Sequence, residues 1–200
     1  MAAEKIAYTA EQSKLNISDF SIVTGDITKE NLNLDPDINE KLTASVTHVF
    51  HLAAVYDLGV EKDLAFHVNL NGTIQINDWV AALKNLERYI YFSTAYGAGT
   101  REGRIYEHEL IKGQAFKNHY EHSKYEAEIL VENLKKEIPT TIIRPDVVRE
   151  HSVTGETSKF DGIYFMLNLL DRLYYLPIIP YFTDTPSTKA DGVLRYYYTS

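Results

Sequence analysis

The chain has 200 residues, 44% of them hydrophobic and 24% charged, which suits one sizeable core and disfavours a disordered polymer. A net charge of −8 argues against a phosphate backbone or an anionic lipid surface as the main partner, since both reward clustered Lys and Arg. Cysteine is absent, which removes disulfides and thiolate chemistry and fits a reducing, cytoplasmic setting.

In chain order, MAAEKIAYTAEQSK lacks the apolar stretch of a signal peptide. Phe20 to Thr24 (FSIVT) reads as a strand ending in the turn Gly25-Asp26. A polar connection containing Pro36 follows, then Val46 to Ala54 (VTHVFHLAA), whose weak alternation predicts a strand buried on both faces. From Glu61 to Lys84 the spacing of Leu64, Val68, Ile76, Trp79, Val80 and Leu83 predicts an amphipathic helix. Its stripe passes through Gly72, which would let the helix approach the sheet, and it carries Trp79 into the core. Arg88 to Thr94 (RYIYFST) is a third strand.

Ala95 to Lys117 is then a long connection with four glycines, long enough to suggest binding. Its Gly97-Ala98-Gly99 string reads as loop flexibility and not as a phosphate site. Arg101 to Lys112 reads equally as a substrate lid or a mobile charged loop. Tyr120 to Ile138 is a second amphipathic helix, stopped by Pro139, and Thr140 to Arg144 a fourth strand, closed by Pro145. Phe160 to Tyr175 suggests one more helix before a tyrosine-rich tail. LPIIPYF, broken by Pro177 and Pro180, is too short to cross a bilayer, so no membrane partner is expected. Strands alternating with helices predict right-handed crossovers and a parallel α/β sheet.

Tyr120-Glu-His-Ser-Lys124 is the sharpest chemical candidate. A Tyr and a Lys four apart share one helical face, so the ammonium can lie close to the phenol. Working near neutral pH requires the phenol pKa to fall by about 3 units, roughly 4 kcal/mol. One cation at ~4 Å in an effective dielectric near 20 supplies about that much. The pattern alone is unspecific, and a solvated surface pair is the common outcome. Thr94 adds context, standing at the carboxyl edge of a parallel strand where ligands bind, while Ser93 should face the other way. His48 and His51 point to opposite faces of a strand, and no H-E-x-x-H spacing exists near His119 and His122, so no metal is expected.

These pieces resemble the extended short-chain dehydrogenase/reductases, in particular the branch of thioester and fatty acyl-CoA reductases with "male sterility"-type NAD-binding domains. The resemblance runs from about Ile22 to Leu173. It is carried in order by Gly25-Asp26-Ile27, His51-Leu52-Ala53-Ala54, Val68-Asn69-Leu70-Asn71-Gly72-Thr73, Phe92-Ser93-Thr94-Ala95-Tyr96, Tyr120-x-x-x-Lys124, Arg144-Pro145 and Thr154-Gly155-Glu156. It implies NAD or NADP as cofactor and a carbonyl or acyl-thioester as substrate. Asp26 and Ile27 match the pair against the adenine, and Leu52, Ala53 and Ala54 the backbone passing beside the cofactor. Asn69 matches an asparagine bracing the active-site backbone, and Pro145 and Val148 match residues beside the nicotinamide. Thr94, Tyr120 and Lys124 match the catalytic hydroxyl, the proton donor and the ribose-binding ammonium.

The family's opening strand, glycine-rich turn and helix need about 30 or more residues, yet only 19 precede Phe20 and no glycine precedes Gly25. The expectation is a truncated Rossmann-like parallel sheet with flanking helices. Residues 1–155 would form an incomplete NAD(P)-binding domain and 156–200 the start of a substrate-binding part plus tail. Dinucleotide affinity should be weakened or lost with the missing phosphate loop. Asp146, Arg149, Glu150 and His151 depart from the family's small or apolar residues near the nicotinamide. The space left by the missing strand would be closed by rearranged packing, by self-association through an exposed edge, or by the rest of a longer polypeptide. The rival functional reading is a catalytically silent module acting by protein contacts. A flavodoxin-like domain is disfavoured, because the Thr94, Tyr120, Lys124 set has no task there.

Overall fold

A computed structural model describes residues 2–146 and Val148. The expected helix at Phe160 to Tyr175, the Thr154-Gly155-Glu156 signal, Arg149 to His151, the boundary after residue 155 and the tyrosine-rich tail lie outside the described residues. Two compact units are present. The first comprises Met1–Phe92 and Asn118–Ile143; the second, among the described residues, comprises Ser93–Lys117 and the residues from Arg144.

The first unit is built on a parallel sheet of β1 (His48–His51), β2 (Arg88–Phe92) and β3 (Thr140–Ile143), in the spatial order β1-β2-β3. His51 pairs with Tyr91, and Tyr91 with Ile142. The helices are α1 (Ala2–Ser13), α2 (Pro36–Ser45), α3 (Lys62–Ala65), α4 (Gly72–Ala81) and α5 (His119–Leu134), with a π-helical turn at Phe66–Asn71 joining α3 to α4. The alternation of strand and helix thus gives the α/β parallel architecture expected of it. Tyr89 and Tyr91 of β2 pack with Ile76, Trp79, Val80 and Leu83 from the α4 region and with Ala127 and Val131 of α5. Alternation along a strand puts both tyrosines on this helix-covered face.

Several local expectations are corrected. Phe20 to Thr24 joins no ladder, and Ile22 and Val23 are exposed. The Phe20 amide closes the preceding 3-10 turn on the Ile17 carbonyl at 3.2 Å, and among the described residues no strand lies beside the segment. Val46 to Ala54 contributes only β1, and Phe50 is 62% exposed, so that strand is an edge with one buried face. The polar connection holds α2, begun by Asp35, whose carboxylate accepts the Asp37 and Ile38 amides, and by Pro36 in the first turn. The indole of Trp79, in the core as expected, donates to Asn39 of α2 at 2.8 Å. Gly72 admits Ile27 and not the sheet, since a Cβ there would stand 3.0 Å from the Ile27 Cδ1. Inward positions before it are Ala65 and Asn69, while Leu64 is exposed. The chain turns one position from the apolar stripe because Asn69 finds three hydrogen-bond partners inside.

His51 is buried against the Tyr91 ring at 5.3 Å. Thr73 donates its hydroxyl proton to the Asn69 carbonyl at 2.6 Å, so its oxygen accepts from His51 Nε2 at 3.1 Å. Burial, with the Lys124 charge as a lesser cause, holds the imidazole down to about 3. The unfolded chain takes up that proton near 6.5 and the folded chain only near 3, so stability is complete above pH 6.5 and drains away as pH falls through this window. Replacing His51 by Gln should therefore flatten the acid limb of a urea-unfolding series between those values, by up to about 5 kcal/mol. An unaltered limb would show that His51 is not buried neutral.

Candidate active site

The start of α5 is fixed by Asn118, whose side-chain oxygen accepts the Glu121 amide at 2.9 Å while its amide group donates to the Glu121 carboxylate at 3.1 Å. This puts Tyr120 in the first turn and Lys124 in the second. Both are buried, at 5% and 3% exposure, and neither belongs to a solvated surface pair. Lys124 Nζ donates to the Phe92 carbonyl, the last of β2, at 2.8 Å and lies 4.4 Å above the Tyr91 ring centre. Burial pulls the amine down to about 8, and the Glu128 charge one turn along opposes that fall. An ammonium has three donors, and the Phe92 carbonyl takes one.

The Tyr120 ring packs with Val60 and Ala65 and meets Tyr56 edge-on at 5.2 Å. Asn69, from the π turn, ties this ground together. Its oxygen accepts the Val55 amide at 2.8 Å, and its nitrogen donates to the Val55 carbonyl at 3.3 Å and to Ser123 Oγ at 3.0 Å. The segment after β1 is thereby pinned to the turn of α5 between Tyr120 and Lys124. Just before the pin, Leu52 and Ala53 are exposed and Ala54 is half-buried, leaving that main chain open to approach. Asp26 and Ile27 begin a turn in which the Asp26 carboxylate accepts the Thr28 amide at 2.9 Å and hydroxyl at 2.7 Å. These bonds keep the carboxyl below the usual carboxylate range. Ile27 packs on the core.

In the second unit, Thr94 is buried and its hydroxyl accepts the Tyr96 amide at 3.2 Å, opening a short 3-10 turn at Ala95–Ala98. Ser93 is buried as well. The Pro145 carbonyl accepts the Ala95 amide at 3.1 Å, so Pro145 lies beside the residue after Thr94; Val148 is 84% exposed. Side-chain ties cross the connection from Ala95 to Lys117. Arg101 meets Glu109 at 2.7 Å, Gln114 donates to the carbonyls of Gly97 and Leu110, and Arg144 donates to the Glu107 carbonyl at 3.0 Å. Arg101, the Tyr106 amide and Lys112 bring the Glu109 carboxyl down to about 2. Gly99 is needed for space, because at φ +61 a side chain would collide with the Ala115 carbonyl. Gly97 and Ala98 belong to the 3-10 turn and Gly99 is its C-cap.

The first unit thus gathers Tyr120, Lys124 and Asn69 around the opening turns of α5, and the second gathers Thr94 and Pro145. Sequence reasoning passed over Tyr91, Ser123 and Glu128. Alternation along β2 could have put Tyr91 beneath the amine, and the four-residue step from Lys124 could have raised Glu128.

A family model described as "Male sterility protein", an NAD-binding domain, matches residues 2–193. The chain belongs to this family. It is 27% identical over 171 residues to the fatty acyl-CoA reductase wat of Drosophila melanogaster, covering 72% of this chain and 33% of that protein. Among solved structures it resembles the terminal R domain from the myxalamid PKS-NRPS biosynthetic pathway, with a TM-score of 0.63, 26% identity, and coverage of 72% of this chain and 38% of that one. It also resembles UDP-glucuronic acid 4-epimerase from Bacillus cereus, solved with UDP-glucuronic acid and NAD, with a TM-score of 0.52, 26% identity, and coverage of 68% and 41%. The sheet is therefore Rossmann-like, and the chain spans about a third of the fly relative's length.

Lys124 provides a pH test. Its amine releases a proton near 8 when folded and near 10.5 when unfolded. Between these values the unfolded chain holds more protons, so stability rises with pH across the window. Relative to Lys124→Met, the native chain should gain stability from pH 8 to 10.5, by at most roughly 3 kcal/mol. Parallel curves for the two proteins would mean that the amine is solvated.

Proposed function

We propose that this chain carries the central part of an NAD(P)-dependent reductase acting at a carbonyl or an acyl-thioester-derived carbonyl. The observation that carries the reading is the buried Lys124 ammonium, anchored on the Phe92 carbonyl one turn after a buried Tyr120, in a chain of the male sterility family. The site suits a dinucleotide in two respects: the open main chain at Ala53 and Ala54, and the Asp26-Ile27 turn held by Thr28. Asp26 and Ile27 would lie against the adenine, Leu52, Ala53 and Ala54 along the cofactor, and Pro145 and Val148 beside the nicotinamide. When bound, the nicotinamide supplies or accepts the hydride.

The side chains of this chain do the rest. Tyr120 gives its phenolic proton to the substrate oxygen in reduction and takes it back in oxidation. Lys124 stabilises the phenolate through its charge and offers its remaining donors to the phenol and a ribose. Thr94 polarises the carbonyl through its hydroxyl. Asn69 keeps the segment beside the cofactor and the α5 turn in fixed register.

Replacing Tyr120 by Phe keeps the ring packing against Tyr56, Val60 and Ala65 and removes the proton. Turnover with NADPH or NADH should drop about 10²- to 10⁴-fold while the melting point hardly moves; an active variant rejects the role. Trp79, the single tryptophan, gives the binding measurement. Saturable loss of its emission at micromolar cofactor supports the reductase, and steady emission up to millimolar supports the silent module.

A further inference from the structure

Ser123 is fully buried on α5, and the reductase reading gives it no task of its own. Its hydroxyl makes two hydrogen bonds of opposite sense. The Val55 amide can only donate, so the end of the Asn69 carboxamide that meets it at 2.8 Å is the oxygen, and the other end is the NH₂ group. That group donates to Ser123 Oγ at 3.0 Å. The single hydroxyl proton is thereby turned away from Asn69 and goes to the Tyr120 carbonyl, also at 3.0 Å. Serine in a helix often bonds back to its own turn, but here its oxygen is held from outside the helix, by a residue 54 positions earlier. The other bonds at this end of α5 do different things. Asn118 and the Glu121 carboxylate cap each other and fix where the helix begins. Lys124 ties the next turn to the end of β2. The bond from Ser123 carries the placement of a neighbouring element to the backbone of Tyr120 itself.

We propose that Ser123 is a positioning residue: its hydroxyl hands the placement of the Val55 segment, fixed by Asn69, to the first turn of α5 and so sets where the Tyr120 phenol stands. The run of bonds Val55, Asn69, Ser123, Tyr120 is continuous, and each member has its donor and acceptor roles assigned. The catalytic consequence rests on the reductase reading. On that reading the cofactor passes the main chain just before Val55, and the phenol must stand within hydrogen-bond reach of the substrate oxygen. A displacement of about 1 Å at such a donor is enough to cost on the order of 10²-fold in rate. Without the hydroxyl, the cofactor-side segment and the proton donor would no longer share one register.

The test is an NMR spectrum of the 200-residue chain with tyrosine rings ¹³C-labelled, the Tyr120 and Tyr89 signals being assigned by their loss in Tyr120→Phe and Tyr89→Phe. The Tyr120 ring meets Tyr56 edge-on at 5.2 Å, so its ring protons respond to small displacements. In Ser123→Ala the Tyr120 signal should move or broaden, while that of Tyr89, held in the core and by Asn77, stays. If that variant does not fold, Ser123→Cys, whose thiol is a weak donor, should displace the Tyr120 signal in the same selective way. A Tyr120 signal that coincides with the native one in the folded variant overturns the proposal, and so does equal movement of both signals, which marks a merely structural role. In turnover, kcat and kcat/KM should fall together by about 10- to 100-fold in Ser123→Ala, with the cofactor Kd from Trp79 emission within about twofold of native. An unchanged kcat in a variant whose Tyr120 signal has moved rejects the catalytic consequence. The two readings separate cleanly, since full activity in Tyr120→Phe sinks the reductase and leaves the ring signals to decide the role of Ser123.

Discussion

A desolvated ammonium hydrogen-bonded to the final carbonyl of β2 is the constraint around which the first unit is arranged. Removing a lysine from water is costly, and the cost here is offset by the Phe92 carbonyl, the face of Tyr91 and the field of Glu128. Because all three partners are fixed by sheet and helix, the amine ties α5 to the carboxyl end of β2 at one point. Tyr120, four residues earlier, inherits its place from that tie. Both the packing of the helix on the sheet and the proposed chemistry of the phenol depend on it.

Around this tie the sheet and helices enclose a polar layer as well as an apolar one. The apolar layer joins Tyr89 and Tyr91 to α4 and α5. The polar layer runs from His51 through Thr73 to the Asn69 backbone, and from the Asn69 side chain to Ser123. Tyr89 adds a bond to Asn77 at 3.1 Å. Each bond in this layer spares a buried group a cost of about 1–3 kcal/mol, while His51 Nδ1 and the Tyr91 hydroxyl are buried without a hydrogen-bond partner among the described residues. The layer consequently specifies how β1, the π turn and α5 meet more narrowly than apolar contacts do.

Periodicity was enough to find the parts of the fold that depend on it. Arg88 to Phe92 and Thr140 to Ile143 are strands, and the helix begun near Tyr120 is present, because each buries a regular apolar face. Phe20 to Thr24 has the residue types of a strand but no neighbour to pair with, and ladder partners are a tertiary fact that propensity does not encode. α2 lies within the polar connection although Asp35-Pro36 is a helix-start signal, because its apolar stripe is weak. Leu64 and Val68 suggested the wrong rotation of the following helix, since a buried asparagine with three partners outweighs an apolar stripe. At the site, the four-residue spacing indicated that Tyr120 and Lys124 share a face. Their burial depends on Asn118, Tyr91 and Phe92, which are distant in sequence and contribute through contacts.

Asn69 serves the Val55 amide, the Val55 carbonyl and the Ser123 hydroxyl with one carboxamide, accepting once and donating twice. An aspartate at this place, ionised and able only to accept, would lose both outgoing bonds and set a negative charge beside a peptide oxygen. A glutamine would carry the right atoms one methylene too far, and a serine would fall short of at least one partner. The site therefore admits essentially one side chain, and any drift in the sequence of the loop at Val55 or of the helix at Ser123 must proceed around an occupant that cannot itself change.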